Sequence, residues 1–216
     1  MIGVEEIKKE KFRTGYTTGT SATAAAKAAL LSIINQIKVE NVDVKLPKGS
    51  FIKIPIHSCQ FDESSSKCSV IKDGGDDPDV THGAEIVVDL SFTDKINEIE
   101  IDGGEGVGIV TKPGLGLELN KAAINPVPKK MINENLREIT NKHPLKKGIK
   151  VIISVPKGKE LGPKTDNPRI GILNGISILG TSGIVIPFST ASYAASIRQN
   201  LDVAIAMGND TVVLTT

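Results

Sequence analysis

The densest concentration of reactive side chains lies in DGGDDPDVTHG, Asp73 to Gly83, where Asp73, Asp76, Asp77 and Asp79 sit close to His82. Like charges at such density are unfavourable unless a cation, hydrogen-bond donors or solvent offsets them. Asp77, Asp79 and His82 are the natural general-base candidates, because a carboxylate or imidazole within reach of an acidic proton is what such a step requires. The same stretch also reads as a solvated Asp/Pro/Gly turn, and the two readings stand even. Its spacing fits no calcium loop.

Three further segments carry groups suited to binding. RTGYTTGTS, Arg13 to Ser21, opens onto an Ala-rich run. A helix start offers unpaired N–H groups and a partial positive charge that suit an anion. Thr17, Thr18, Thr20 and Ser21 would add hydroxyl donors and Arg13 a fixed charge. The plainer reading is a capped helix after a turn; the GxxxxGK[ST] phosphate loop is absent. GGEGVGIVTKPG, Gly103 to Gly114, is either a bulged hairpin or a loop that brings backbone against a ligand while Lys112 pairs with a carboxylate. Such a charge-assisted bond contributes roughly 1.5–3 kcal/mol when shielded from water. KTDNPRIGI and GISILGTSGIVIPFS supply Gly175, Gly180 and Gly183 with the hydroxyls of Thr181 and Ser182. A strand-end loop of that kind holds a nucleoside-like cofactor or is simply a tight β-to-α turn.

The elements that must position these groups follow from periodicity. Ala22, Ala26, Ala29, Leu30, Ile33, Ile34 and Ile37 share one broad face of a helix that starts near Ala22, capped by Thr20 or Ser21. VENVDVKLPKGSFIKIPIHS alternates as two strands about a PKGS turn. One strand runs into the acidic turn and another, Glu85 to Phe92, leads out. Short strands flank the glycines that follow Asp102. AINPVPKK cannot be helical through its prolines, so a helix is expected from near Lys130 to Asn141 with Met131, Leu136 and Ile139 inward. A strand follows Gly148. KGKELGPKTDNPRIG reads as a long exposed loop and a domain boundary. Beyond it, GISILG, ASYAASIRQNLDVAIAM and TVVLTT read as strand, amphipathic helix and strand, a βαβ unit of a parallel sheet. The chain ends on that last strand, where open α/β sheets bind ligands, so it reads as a fragment or a shortened member of its kind. The expected architecture is an α+β N-terminal domain, residues 1–160, followed by the start of an α/β (βαβ) domain, residues 161–216.

Composition narrows the function classes. Lys and Arg, 26 together, nearly balance 25 Asp and Glu, which argues against nucleic-acid binding. Aromatic residues are 3% with no Trp, so stacking platforms for single strands are lacking. Cys59 and Cys68 form no CxxC pair and have no His at ligand spacing, so no metal site is expected; a disulfide between them stays open. The N-terminal stretch MIGVEEIKKEK is charged from the start, unlike a signal peptide, and no apolar run has membrane-spanning length, so a cytoplasmic location is expected.

Taken in order, RTGYTTGTSATAAAKAA, GGDDPDVTHGAEI, GEGVGIVTKPGL with AINPVPKKMI, ISVPKGKELGPKT with NPRIGI, and NGISILGTSGIVIPFS resemble the cobalt-precorrin-5B carbon-1 methyltransferase (CbiD) family, from about Arg13 to Thr216. The resemblance implies transfer of a methyl group from S-adenosyl-L-methionine to carbon-1 of cobalt-precorrin-5B, giving cobalt-precorrin-6A in anaerobic cobalamin synthesis. It also implies an α+β domain followed by a Rossmann-like one. On that reading Asp79 or His82, with Asp77 beside them, is the base. Gly180, Thr181, Ser182 and Gly183 hold the donor. Arg13, Thr17, Thr18, Thr20, Lys112 and Arg169 bind the carboxylate-rich cobalt tetrapyrrole. No nucleic acid or membrane is an expected partner, and a homo-oligomer stays open. Ser21 stands where many relatives have Cys, and family members continue beyond the position of Thr216. The alternative is a catalytically silent corrinoid- or anion-binding fragment of that enzyme.

Overall fold

A computed structural model describes residues 12–213. The two-residue strand β1, Gly15–Tyr16, leads into the long helix α1, Thr18–Asn35. A hairpin follows, β2 (Asn41–Lys45) and β3 (Phe51–Pro55), then β4 (Ser58–Phe61), β5 (Ser65–Ile71) and β6 (Glu85–Thr93). Strands β7 (Ile99–Gly103) and β8 (Ile109–Val110) precede helix α2 (Pro126–Lys142) and strand β9 (Gly148–Ser154). The remainder holds the short helix α3 (Gly158–Leu161), a 3-10 turn (Gly162–Lys164), β10 (Ile172–Leu173), β11 (Ile184–Val185) and helix α4 (Thr190–Ala206).

A mixed sheet in the order β4-β5-β6-β9-β7 forms the centre, parallel only between β7 and β9. Alternation decides its two faces. Cys68, Val70, Ile86, Val88, Leu90, Val151 and Ile153 are buried on one side. On the other side Lys67 and Asp89, directly opposite each other, pair at 3.3 Å. Cys59 and Cys68 are cross-strand partners and both are free thiols.

Helix α1 covers the inner face along β5 and β6, and α2 packs against α1. Small side chains make this possible. Ala22, Ala24, Ala25, Ala26, Ala28 and Ala29 are fully buried, so α1 is enclosed rather than amphipathic. The single apolar face expected from spacing therefore understates its burial. Two of its hydroxyls turn back onto nearby backbone: Ser21 donates to the Thr17 carbonyl at 3.0 Å and Thr23 to that of Gly19 at 2.8 Å. Lys27 sends Nζ to the Asp43 carbonyl at 2.7 Å. The helix ends at Asn35 because Gln36 takes a left-handed conformation, which leaves Ile37 exposed beyond it.

Two helix starts differ from the sequence expectation. Helix α1 begins at Thr18, and Thr17 rather than Thr20 or Ser21 is the cap. Helix α2 begins at Pro126, with Pro128 also in the first turn. First-turn N–H groups have no intrahelical acceptor, so the prolines remove nothing there. Met131, Leu136 and Ile139 are buried as expected.

The segment after β9 is more ordered than a long exposed loop: α3 and the 3-10 turn lie within it, and Gly162, Asn167 and Ile170 are buried. The expected βαβ unit is not formed among the described residues. Ile176 and Ile178 make isolated parallel bridges to Val107 and Ile124, while β10 and β11 pair antiparallel with β8 and β1. Val212 and Val213 are exposed and outside any strand, and residues 214–216 of the expected strand lie outside the described ones. Helix α4 does form, capped by Ser189, whose hydroxyl accepts the Ser192 N–H at 3.1 Å. It touches the rest through Val203, in a small cluster with Val110, Ala123, Ile170 and Ile172. Among the described residues no helix is long and apolar enough to cross a membrane.

Gly19 marks the tightest crossing of α1. A Cβ there would sit 2.7 Å from Pro128 Cγ and 3.0 Å from the Leu179 carbonyl oxygen. Gly19→Ala is expected to destabilise the fold by about 1–3 kcal/mol through overpacking, despite alanine's better helix propensity. Urea unfolding at fixed m-value checks this; an unchanged or raised midpoint would show that the crossing can relax.

Candidate functional site

The first turn of α1 is wrapped by residues 177–183. The Thr18 hydroxyl accepts the Leu179 N–H at 2.9 Å and lies 3.2 Å from the Leu179 carbonyl. The Thr20 hydroxyl donates to the Gly183 carbonyl at 2.7 Å, and the N–H groups of Thr17 and Gly19 donate to Gly183 and Leu179. The Thr20 N–H goes to the Thr17 hydroxyl at 3.2 Å. Thr17, Thr18, Thr20 and Ser21 are all buried. The donors expected to meet an anion thus meet the chain's own backbone.

Gly180 is fitted to this contact. Its φ is +151°, and a Cβ would stand 2.3 Å from Thr17 Oγ1. Gly183 packs against Thr20 and Leu46. The Ser182 hydroxyl closes on its own loop, donating to the Ile184 carbonyl at 3.1 Å, whereas Thr181 is exposed.

The acidic turn resolves its like charges by giving each carboxylate a separate partner. Arg13 holds Asp73 through both guanidinium nitrogens, one bond measuring 3.0 Å, and its backbone N–H donates to Asp76 Oδ2 at 2.6 Å. The Arg13 hydrogen bonds hold the Asp73 carboxyl below the usual carboxylate range. Asp77 Oδ1 accepts the Phe188 N–H at 3.0 Å. Asp79 takes the most: Lys72 Nζ at 2.6 Å, the Thr81 hydroxyl at 2.6 Å and the Thr81 N–H at 2.7 Å. Burial by itself would push the Asp79 carboxyl up, but the Lys72 charge and these bonds outweigh it and hold the group down. His82 Nδ1 accepts the Gly74 N–H at 3.0 Å, which puts a lone pair rather than a proton at that nitrogen. Asp73 Oδ1 lies 3.7 Å from the same atom.

Asp77 and Asp79 line a cleft of about 680 Å³ with Val80, Lys164, Asp166 and Arg169. Arg169 is exposed and lies 3.7 Å from Asp166. Lys112 does not enter the cleft lining; its Nζ donates to the Arg169 carbonyl at 3.1 Å and so supports that segment from outside. A cleft of similar size, about 690 Å³, between α1, α2 and β2 contains none of the sequence-predicted site residues. The predicted residues thus divide into two groups. Asp77, Asp79 and Arg169 share one cleft, with Lys112 behind it, while Thr17, Thr18, Thr20, Gly180 and Gly183 form a packed joint. Arg13 braces the acidic turn from outside and His82 from within.

Lys72 went unnoticed in the sequence. Strand alternation was the available signal: Lys72 follows exposed Ile71 and falls in phase with buried Cys68 and Val70. At 2% exposure, a lysine there requires a carboxylate. Because the folded-state value of Asp79 is lowered, the pair contributes stability above the unfolded carboxylate range and loses it as pH falls through the lowered value. Lys72→Met is expected to cost about 3–5 kcal/mol near neutral pH, since it leaves a part-buried carboxylate without its cation. The loss should shrink at acid pH, where Asp79 is protonated and a neutral carboxyl tolerates burial. Urea unfolding of both proteins at neutral and mildly acid pH decides; an equal deficit at each pH would remove the ion pair as its cause.

Comparison with known proteins places this architecture. A family model described as CbiD matches residues 5–187. The chain is 53% identical over 208 residues to the cobalt-precorrin-5B C(1)-methyltransferase of Geobacillus sp. (strain WCH70), covering 96% of this chain and 57% of that protein. The enzyme of the same name from Priestia megaterium is 51% identical over 99% of this chain and 58% of its own length. The crystal structure of the cobalamin biosynthesis protein (cbiD) from Archaeoglobus fulgidus superposes with a TM-score of 0.62 at 31% identity, over 87% of this chain and 59% of that one. The chain spans a little over half the length of the curated relatives it matches. By sequence match and by fold, the chain belongs to the CbiD family.

Proposed function

We propose that the chain serves a cytoplasmic S-adenosyl-L-methionine-dependent methyltransferase acting on carbon-1 of cobalt-precorrin-5B, and that it contributes the tetrapyrrole-handling part. One observation carries the reading: Asp77 and Asp79 from the acidic turn and Arg169 from the distant NPRIG stretch line one cleft, in a chain of the CbiD family. Methyl transfer from a sulfonium needs no protein nucleophile, because the donor carbon is already electrophilic. It needs alignment of ring carbon, methyl and sulfur, and exclusion of water. Arg169 and Lys164 suit the peripheral carboxylates of the ring.

Proton removal falls to the acidic turn. Asp79 is a weak base, because its pKa is lowered and three donors already occupy it. Asp77, whose Oδ1 accepts only the Phe188 N–H among the described residues, takes the role more readily, whereas the Nδ1 lone pair of His82 is already taken by the Gly74 N–H.

A second reading, a catalytically silent ring- or anion-binding piece, is favoured by the loop expected to hold the donor. The backbone of Leu179 and Gly183 and the hydroxyl of Ser182 are already spent within the chain. The Rossmann-like unit, in this reading, is what the extra length of the relatives would supply.

Calorimetric titration of S-adenosylhomocysteine into the chain separates the two. Saturable binding near one site per chain supports a donor pocket within these residues. Absence of binding by a chain shown to be folded supports the ring-side reading.

A further inference from the structure

An exposed aromatic pair stands beside the cleft. Phe12 and Phe188 are 52% and 62% exposed, yet their rings touch, with centroids 5.2 Å apart and planes tilted by 54°. Phe51 and Tyr193 are as open, but among the described residues Phe12 and Phe188 are the aromatic rings that touch each other, in a chain of very low aromatic content. Ile186 next to the pair and Tyr193 in the first turns of α4 are exposed as well.

The backbone at Phe188 is unusual. Its φ is +54°, a left-handed conformation that is unfavourable for a bulky L-residue. A hydrogen bond fixes it there: the Phe188 N–H donates to Asp77 Oδ1 at 3.0 Å. Asp77 is also a wall of the 680 Å³ cleft that carries Lys164 and Arg169. One carboxylate therefore joins an exposed, tilted aromatic pair to a cation-bearing cleft.

That juxtaposition matches the chemistry of a macrocyclic tetrapyrrole, which has a broad apolar face and a rim of carboxylates. An isolated apolar patch would suit many occupants; one coupled through Asp77 to two cations suits a ligand with both features. Building on the tetrapyrrole reading above, we infer that Phe12 and Phe188 form the platform for the face of the ring, with Lys164 and Arg169 at its carboxylate rim. Asp77 is then a positioning residue, which sets Phe188 through its backbone.

The test is calorimetric titration of cobyrinic acid, a cobalt corrinoid with free peripheral carboxylates, into the full chain and its variants. Phe188→Ala and Phe12→Ala should each weaken binding by about tenfold, equivalent to about 1.4 kcal/mol, with melting temperatures that show both fold. Asp77→Ala should weaken it similarly. Asp77→Asn, which keeps an oxygen acceptor for the Phe188 N–H, should bind the corrinoid more tightly than Asp77→Ala; both lose the same charge, so an effect of charge alone would give the two equal affinities. If Phe188→Ala does not fold, Phe12→Ala carries the test alone. Wild-type affinity in the phenylalanine variants would overturn the platform and leave the tetrapyrrole reading standing. Failure of the unaltered chain to bind would overturn both. A wild-type dimer in sedimentation that Phe188→Ala dissociates, with corrinoid affinity unchanged, would make the patch an interface between copies and overturn the platform.

Discussion

The joint between the first turn of α1 and residues 177–183 is the constraint on which the rest depends. A buried helix start must satisfy its N–H groups. Here the chain does so with its own distant backbone and with threonine hydroxyls rather than with solvent. Once that joint is made, Ile176 and Ile178 lie in the main core, and β11 pairs with β1. The acidic turn is fixed at the same place, because Arg13, just before β1, and Tyr16, within it, both bond to Asp73. The cleft that Asp77, Asp79 and Arg169 line is thus a by-product of how the start of one helix is closed.

Small residues let the joint be tight. An Ala-rich helix can lie against a sheet and a second helix at once only because it projects so little. The apolar volume comes instead from the sheet and α2, in Ile86, Leu90, Ile132 and Leu136. Hydroxyls within α1 are tolerated because each has an intrahelical or neighbouring acceptor, as Ser32 does with Ala29 and Ser66. Burial of Lys72 follows the same rule in a harsher form, since a charge rather than a hydroxyl must be matched.

Much of this was legible in the residues. The β2–β3 hairpin, the strands around the acidic turn and the inward residues of α2 follow from alternation and helical spacing alone. What was not legible depended on contacts far apart in sequence. Nothing local says that Thr18 meets Leu179, so its hydroxyl looked available to a ligand. The prolines at 126 and 128 argued against a helix by interior rules, whereas they occupy the first turn. The segment before α4 was apolar enough for a strand of a parallel sheet, but Ile176 and Ile178 found only single-residue bridges, at Val107 and Ile124. The acidic turn was located correctly as a place of dense charge, though its carboxylates are answered one by one by Arg13, Lys72, Thr81 and the Phe188 N–H.

The sequence distance spanned by the α1 joint has a kinetic meaning. Thr18 to Leu179 and Thr20 to Gly183 are separated by 161 and 163 residues. Contacts of such high order are reached late, because closing a long loop precedes any reward from the contact. During synthesis the Ala-rich helix leaves the ribosome well before the backbone that closes its N-terminus. Until residues 177–183 emerge, the nascent chain carries a helix whose sheet-facing side can be covered while its first turn stays open to water. The native topology thus ties closure of the helix start to backbone made 161 to 163 residues later.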